Sequence, residues 1–179
     1  MEASQVIKLV QRLTEMRTGI GFDVHQLKEG RPLIVGGVHI PHPLGLLGHS
    51  DADVLVHAVM DALLGAAKLA DIGVHFPDSD PQWKDANSLH LASAVAKLVE
   101  RTGWEIVNID ALVVAQRPKL SPHFKSMAAN IAQALGIEAQ RVSVKATTTE
   151  RLGFCGQEEG VAALASALLR ARLQDQEER

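Results

Sequence analysis

Aromatic side chains are scarce in this sequence of 179 residues: they make up 3% of it, and tyrosine is absent. Proteins that stack nucleic-acid bases use aromatic platforms, and proteins that bind nucleic acid generally carry a basic surface. Because the formal net charge is −3, we expect no nucleic-acid partner. The scarcity of aromatic residues also means that the core must be built from Ala, Leu, Val and Ile.

Cysteine is nearly absent as well, since Cys155 is the single one. One cysteine excludes a disulfide framework within the chain and fits a reducing compartment. No apolar run approaches the roughly 18–20 residues that span a bilayer, and the opening MEASQVIKLVQRLTEM lacks the pattern of a secretory signal. We therefore expect a cytoplasmic protein with no membrane partner. The nucleotide-binding patterns GxxxxGKS/T and GxGxxG are also missing.

The sequence does have the composition of an ordinary soluble domain, with 46% hydrophobic and 22% charged residues. Strand-like segments mixed with helical ones predict an α+β fold: two layers, a mixed sheet with helices packed on one face. We predict one domain over residues 17–173, a helical N-terminal extension over residues 1–16 and a polar tail over residues 174–179. The last apolar segment, GVAALASALLRARL, favours a helix by its Ala and Leu content but also fits a strand.

Capping residues delimit the central helices. Ser50 or Asp51 is expected to cap a helix through DVLVHAVMDALLGAA, and Asn87 or Ser88 a second one that ends near Glu100. A third helix is predicted to begin with Ser121 as the cap and Pro122 at the first helical position, and to stop at Gly136; a strand is predicted over Trp104–Gln116.

One short stretch, GIGFDVHQL, places a carboxylate and an imidazole two residues apart. On a strand, Asp23 and His25 share one face, while Ile20, Phe22 and Val24 share the other. We expect the apolar face to belong to the core of the sheet. The polar face is either simply solvated or holds a ligand.

His57 supplies a possible third member of that group from the first central helix. One Asp and two His side chains offer three ligands for a tetrahedral Zn²⁺ with the fourth position open. Asp61, four residues further along the same helix face, could accept the other N–H of the His57 ring. The alternative is that Asp23 and His25 are solvated and that His57 is a hydrogen-bonded, half-buried histidine. No Ser-His-Asp catalytic arrangement is evident.

Three further segments carry polar groups at positions suited to phosphate. GHSDAD offers backbone N–H groups with the side chains of His49 and Ser50, although a plain helix cap explains it equally. KATTTERLG, with Lys145 and Glu150, could hold a diphosphate and its Mg²⁺ or Mn²⁺, or be a threonine-rich strand end. The polar loop over Asp71–Ser88 is either a lid or a solvated connection.

Five runs occur in one order: GFDVH, GHSDADVLVHAVMDALLGA, DIGVHFPDSDPQWKDANS, AQRPKLSPH and VKATTTERLGF. From Arg17 to Leu169 the sequence thereby resembles the 2-C-methyl-D-erythritol 2,4-cyclodiphosphate synthase family. The resemblance implies a phosphorus–oxygen lyase of the non-mevalonate isoprenoid pathway. Its substrate would be 4-diphosphocytidyl-2-C-methyl-D-erythritol 2-phosphate, and its products the cyclic diphosphate and CMP. It also implies a homotrimer with active sites between subunits.

The resemblance assigns roles to individual residues and makes residues 17–173 a catalytic domain. Asp23, His25 and His57 correspond to zinc ligands, and Glu150 to the ligand of a Mg²⁺ or Mn²⁺ ion that bridges the phosphates. The implied catalytic residues are His49, Thr148 and Glu150. Substrate contacts are implied at His49, Ser50, Asp71, Gly73, Asp78, Ala115, Lys119, Leu120, Thr147, Thr148, Thr149 and Phe154.

Two departures and two rival functions stay open. Gln157 stands where many members carry an Arg near the trimer axis, so binding of isoprenoid diphosphates in a central cavity is an open question. Ile20 replaces a His often found before GFD. The rivals are a non-catalytic metal- or nucleotide-binding module and a metal-dependent hydrolase with water in the open zinc position.

Overall fold

A computed structural model describes Val10 and residues 14–172. Its strands are β1 (Met16–Glu29), β2 (Leu33–Val35), β3 (Val38–Ile40), β4 (Leu44–Leu46), β5 (Trp104–Val114), β6 (Val142–Thr147) and β7 (Gly160–Ala171). Its helices are α1 (Val54–Ala67), α2 (Ile72–His75), α3 (Ser88–Arg101), α4 (Phe124–Leu135) and α5 (Gly153–Gly156), with 3₁₀ turns at Pro81–Trp83, Ser121–His123 and Ala139–Arg141. The predicted extension lies mostly, and the predicted tail wholly, outside the described residues.

The main sheet has five strands in the order β4-β1-β7-β5-β6. The β5–β6 pair is parallel and the other pairs are antiparallel, while β2 and β3 form a separate hairpin. Helices α1, α3 and α4 pack against this sheet. The α+β class and the mixed sheet are therefore confirmed. No helix in the described part of the chain is both long and apolar enough to cross a membrane.

The ambiguous last segment forms a central strand. β7 pairs with β1 along Gly160–Arg170 and with β5 on its other side. Its Ala163, Ala165 and Ala167 are buried. Pairing on both edges and burial under the helices outweigh the helical propensity of Ala and Leu.

The apolar face of β1 does not belong to the core of this chain, so that expectation is wrong. Ile20, Phe22 and Val24 are 73%, 55% and 39% exposed. The helix layer covers the opposite face, because glycines there allow a close approach. A Cβ atom on Gly19 or Gly21 would lie 2.0 Å from a backbone carbonyl oxygen of α1.

Helix α1 is capped by Asp53, not by Ser50 or Asp51 as predicted. Asp53 is fully buried, and its carboxylate accepts hydrogen bonds from Val56 N–H at 3.1 Å, Gly36 N–H at 2.9 Å and Gly37 N–H at 2.6 Å. Burial raises the pKa of Asp53 to about 6, although these three bonds act to lower it. The cap thus joins the β2–β3 hairpin to the start of the helix that carries His57.

The other predicted elements are close to those observed. α3 begins after Asn87, whose side chain accepts from His90 N–H at 3.2 Å. α4 begins at Phe124 and not at Pro122, because Ser121–His123 form a 3₁₀ turn, and it stops at Gly136 with a left-handed φ of 68°. β5 ends two residues before the predicted Gln116.

Candidate active site

Three side chains from β1 and α1 converge on one point. Asp23 Oδ2 lies 3.0 Å from His25 Nε2 and 3.0 Å from His57 Nδ1, and the two ring nitrogens are 3.1 Å apart. Two nitrogen ligands of a tetrahedral zinc ion, at its usual bond lengths, lie about 3.3 Å from each other. The near-equilateral triangle therefore matches one face of a tetrahedral metal site. The predicted Asp23–His25–His57 group is a candidate metal centre.

The charges of the three residues suit a cation. Burial by itself would raise the pKa of Asp23, but the hydrogen bonds and charges of His25 and His57 hold that pKa well below its usual range. Burial would lower the pKa of His57, and the hydrogen bond to Asp23 with its charge raises it on balance. Asp23 is therefore an ionised carboxylate at neutral pH, as a metal ligand must be.

Hydrogen bonds on the far side of each ring orient the imidazoles. His25 Nδ1 lies 2.9 Å from the carbonyl oxygen of Leu47, so it donates there and leaves Nε2 for the metal position. His57 Nε2 lies 3.0 Å from Ser88 Oγ and 3.2 Å from Ser50 Oγ. Both rings thus have a partner behind the nitrogen that faces away from Asp23.

Asp61 does not contact the His57 ring, so that prediction is wrong. Its Oδ1 accepts from Ile72 N–H at 2.8 Å, and its carboxylate supports the start of α2. Burial raises the pKa of Asp61. Helix periodicity placed Asp61 on the correct face, but the backbone N–H of Ile72 is the donor that it meets.

The glycine pair Gly19 and Gly21 is a functional feature that the sequence reasoning missed. Both residues share the helix-facing side of β1 with Asp23 and His25. Their nearest neighbours are the backbones of Ala58, Ala62 and Ala66, which form a small-residue row on α1. The alternation Gly-x-Gly-x-Asp-x-His, with alanines four residues apart, is the signal that could have identified this contact. The close approach sets how far His57 reaches toward β1.

A cleft of about 440 Å³ opens beside Asp23, His25 and His57, which are called the triad below. It is lined by Asp23, His25, Gly48, His49, Ser50, His57, Met60, Ile72, Gly73, Phe76, Asp78, Trp83 and Leu91. Four of the predicted substrate contacts, His49, Ser50, Gly73 and Asp78, are among them. His49 Nε2 is buried and has no hydrogen-bond partner among the described residues. A polar atom in that condition suits a polar ligand.

The remaining features of the cleft were not all expected. Asp71 does not line it: its side chain accepts from Val74 N–H at 3.1 Å as the cap of α2. Phe76 and Trp83 form an apolar wall, with their rings edge to face and centroids 5.1 Å apart. Both lie in the polar loop, where the surrounding Asp, Pro and Ser residues give no sequence pattern that indicates an apolar wall.

The other predicted site residues form a second group at the ends of β5 and β6. One row of paired residues crosses the sheet from β1 to β6. Val24 pairs with Ala162, Ala162 with Val114, and Val114 with Thr147. This row puts the second group at the same end of the sheet as His25, but three strands away, which is about 14 Å. Within one chain, therefore, this group does not share the cleft with the triad.

Hydrogen bonds hold the second group together. Ala115 N–H donates to the carbonyl oxygen of Thr147 at 3.0 Å, and Thr148 Oγ1 donates to Glu150 Oε1 at 2.8 Å. Ala115 and Leu120 are buried. The other predicted members are mostly open to solvent: Lys119, Thr147, Thr148, Glu150 and Phe154 are exposed, and Thr149 is half-buried. A cation, a carboxylate and three hydroxyls thus stand on the surface near one strand edge.

The fold and the triad together define an α+β protein with a candidate metal centre beside a polar cleft. The YgbB family model matches residues 16–170, and the chain belongs to the YgbB family. It is 62% identical over 154 residues to the 2-C-methyl-D-erythritol 2,4-cyclodiphosphate synthase of Syntrophomonas wolfei, covering 86% of this chain and 98% of that protein. It is 58% identical over 159 residues to the synthase of Chlorobium phaeobacteroides, covering 89% and 100%. The resemblance drawn from the five motifs is confirmed.

Solved structures agree with this assignment. A structure of 2C-methyl-D-erythritol-2,4-cyclodiphosphate synthase with CDP bound superposes with a TM-score of 0.78 at 38% identity, over 86% of this chain and 99% of that one. The bifunctional IspDF from Campylobacter jejuni gives a TM-score of 0.85 at 49% identity, over 88% of this chain. The matched region is 42% of the bifunctional chain, so the likeness there concerns one part of a longer protein.

Proposed function

We propose that this protein converts 4-diphosphocytidyl-2-C-methyl-D-erythritol 2-phosphate into 2-C-methyl-D-erythritol 2,4-cyclodiphosphate and CMP. The observation that carries the proposal is the Asp23–His25–His57 triangle at the wall of a cleft that also contains the unpartnered His49 Nε2. Membership of the YgbB family and the similarity to proteins that bear the synthase name support the same reaction.

The reaction is a phosphoryl transfer within one substrate molecule. An oxygen of the 2-phosphate attacks the β-phosphorus of the diphosphate, and a new P–O bond forms. The bond from the β-phosphorus to the oxygen bridging it to the α-phosphorus breaks, and that oxygen leaves with the electron pair as part of CMP. The nucleophile is already an anion, so no base is required, and positioning with electrostatic stabilisation is the main demand.

The triad residues fit Zn²⁺, and Glu150 would hold Mg²⁺ or Mn²⁺. When bound, these ions supply the positive charge that offsets repulsion between the phosphate groups. Lys119 would add a further positive charge from the chain itself. Near the triad, His49 and Ser50 would bind phosphate oxygens, and Asp78 would accept hydrogen bonds from the erythritol hydroxyls.

Folding the substrate into a ring also costs conformational entropy, which a shaped cleft offsets by holding the reacting groups near each other. The apolar wall of Phe76 and Trp83 would limit water on one side of the cleft. Thr147, Thr148 and Thr149, with Ala115 and Leu120, would bind the cytidine and its phosphates at the second group.

A homotrimer with active sites between subunits would bring the two groups together. Within one chain they lie on strands β1 and β6, which are three positions apart in the sheet. The uncovered apolar row Ile20, Phe22 and Val24 offers a face that a neighbouring copy could bury. Sedimentation of a trimer would support this arrangement, and a monomer at working concentration would contradict it.

The test of the function is ³¹P NMR of the protein with Mg²⁺ and the proposed substrate. Signals of the cyclic diphosphate and CMP are expected. A linear product from hydrolysis of the diphosphate would replace the synthase by a hydrolase, and unchanged substrate would contradict both. Ser93→Ala, on α3 outside the cleft, is the matched control and should give the wild-type product.

One observation favours a serine hydrolase, distinct from the metal-dependent hydrolase, as the second candidate. Ser50, His57 and Asp23 form a hydrogen-bonded row. Ser50 Oγ lies 3.2 Å from His57 Nε2, and His57 Nδ1 lies 3.0 Å from Asp23 Oδ2. The sequence had shown no Ser-His-Asp arrangement, and the fold creates one from β1, α1 and the loop before α1. In a serine hydrolase the imidazole would accept the Ser50 proton at Nε2. The position of the proton on His57 therefore distinguishes the two functions.

A further inference from the structure

We infer that Ser88 and Asp51 together hold the His57 proton on Nε2, so that Nδ1 presents its lone pair to the metal position. The inference rests on the metal centre of the proposed function and not on its substrate. It makes Ser88 and Asp51 positioning residues, which act on the site through His57.

Ser88 lies between His57 and Asp51. Its Oγ is 3.0 Å from His57 Nε2 and makes a short hydrogen bond with Asp51 Oδ1. Its backbone N–H donates to Asp51 Oδ2 at 3.0 Å, so the carboxylate contacts Ser88 at two points. Asp51 is itself held, because its backbone N–H donates to the carbonyl oxygen of Ala86 at 3.1 Å.

Counting protons along this row fixes the direction of each hydrogen bond. A serine hydroxyl has one proton, and an ionised carboxylate can only accept. The Ser88 proton therefore goes to Asp51, in a bond strengthened by the negative charge. Ser88 Oγ is left with lone pairs toward His57, and it must accept from Nε2–H.

A metal ion at the triangle takes the place of a proton on His57 Nδ1, and the neutral imidazole then carries its one N–H at Nε2. Nδ1 is the nitrogen that lies 3.0 Å from Asp23 Oδ2 and 3.1 Å from His25 Nε2. The opposite tautomer, which the Ser50–His57–Asp23 hydrolase needs, would set the Nε2 lone pair against a lone pair of Ser88. The Ser88–Asp51 pair thus favours the metal centre over the serine hydrolase.

The row also connects three parts of the chain. Ser88 is the buried first residue of α3, His57 is in α1, and Asp51 lies in the loop before α1. The polar loop over Asp71–Ser88 ends where α3 begins. This arrangement fixes the orientation of a metal ligand by a helix that itself supplies no ligand.

The first experiment measures zinc affinity by competition with a chromogenic chelator. Ser88→Ala should weaken zinc binding about 10–100-fold, the usual effect of losing such a partner of a ligand. Ser88→Thr keeps the hydroxyl and should stay within about threefold of wild type. The matched control, Ser93→Ala on the same helix, should bind zinc as wild type does. Wild-type affinity in Ser88→Ala would overturn the inference.

A double variant tests whether the two residues act in series. Asp51→Ala should also weaken zinc binding, because the Ser88 hydroxyl then loses its acceptor and can turn its proton toward Nε2. The Asp51→Ala/Ser88→Ala protein should bind zinc little worse than the weaker single variant. If the fold-losses in zinc affinity of the two single variants multiply in the double variant, Asp51 and Ser88 act independently, which would contradict their action in series.

A spectroscopic measurement needs no variant. ¹⁵N NMR of the zinc-loaded wild-type protein should show His57 coordinated through Nδ1, with its proton on Nε2. A proton on Nδ1 would overturn the inference even if every variant failed to fold. If the proton is on Nε2 but ³¹P NMR shows no cyclic product, the proposed function fails and the inference stands.

Discussion

Substituting Gly21 by alanine tests how the proposed metal centre is assembled. The new Cβ would lie 2.0 Å from the carbonyl oxygen of Ala58 and 2.7 Å from the backbone nitrogen of Ala62. Both are backbone atoms of α1, so no side chain can turn aside. The helix would have to move away from β1 by about 1 Å or more to restore an ordinary contact.

His57 moves with the helix, whereas Asp23 and His25 stay on the strand. The distance from His57 Nδ1 to Asp23 Oδ2 is 3.0 Å now, and a shift of about 1 Å would exceed what a tetrahedral zinc site accepts. We expect Gly21→Ala to lose stoichiometric zinc and about 100-fold or more in kcat/KM. The free energy of unfolding should fall by about 1–3 kcal/mol. Elemental analysis, CMP release and urea denaturation measure the three effects.

Gly65→Ala is the matched control on the other partner of the same contact. Gly65 is exposed on α1, and its new Cβ would have Ile20 O as its nearest neighbour at 3.9 Å. The variant should keep zinc and activity, and gain about 0.5–1 kcal/mol from the better helix former. Wild-type zinc content and activity in Gly21→Ala would refute the claim that the close approach of α1 to β1 determines the position of His57.

Three further predictions concern the metal, the assembly and pH. His57→Ala should lose stoichiometric zinc, and full zinc content by elemental analysis would remove His57 as a ligand. Asp23→Ala and Glu150→Ala should each be inactive as pure proteins. If each site takes Asp23 from one subunit and Glu150 from another, a mixture reassembled from equal amounts of the unfolded variants should regain about one quarter of the sites. A mixture without activity would contradict sites shared between subunits. The buried Asp53 has its pKa raised to about 6, so the folded state binds more protons than the unfolded state between about pH 4 and 6. The stability of wild type relative to Asp53→Asn should therefore fall by up to about 3 kcal/mol as pH rises through this window, and urea denaturation showing a constant difference would contradict the raised pKa.

The part of the site that the sequence could predict lies in short, regular patterns. Asp23 and His25 share a face because strand side chains alternate, and that relation holds in any fold that keeps the strand. His57 could be predicted as the third member of the group from its place in a motif on a helix. The predicted group is the one that the structure brings together.

The parts that the sequence could not predict depend on contacts between distant segments. Helix periodicity indicates Asp61, one turn from His57, as the partner of the ring, but the observed partner Ser88 is 31 positions away in the chain. Local periodicity reports nothing about such pairings. β7 likewise is a strand only because β1 and β5 flank it.

The outward face of β1 shows a third kind of limit. Alternation correctly separated Ile20, Phe22 and Val24 from Asp23 and His25, but it does not say which face the helices cover. Gly19 and Gly21 decide that, because only a face without side chains admits α1 at this distance. A polar face was therefore buried and an apolar face left open in the single chain.

The proposed metal centre is tested most directly by an anomalous difference map from a crystal of the zinc-loaded protein, measured on both sides of the zinc absorption edge. A peak should lie among Asp23 Oδ2, His25 Nε2 and His57 Nδ1, about 2.0–2.2 Å from each. No zinc peak at the triad, or a His57 ring turned so that Nε2 is the ligand, would contradict the account.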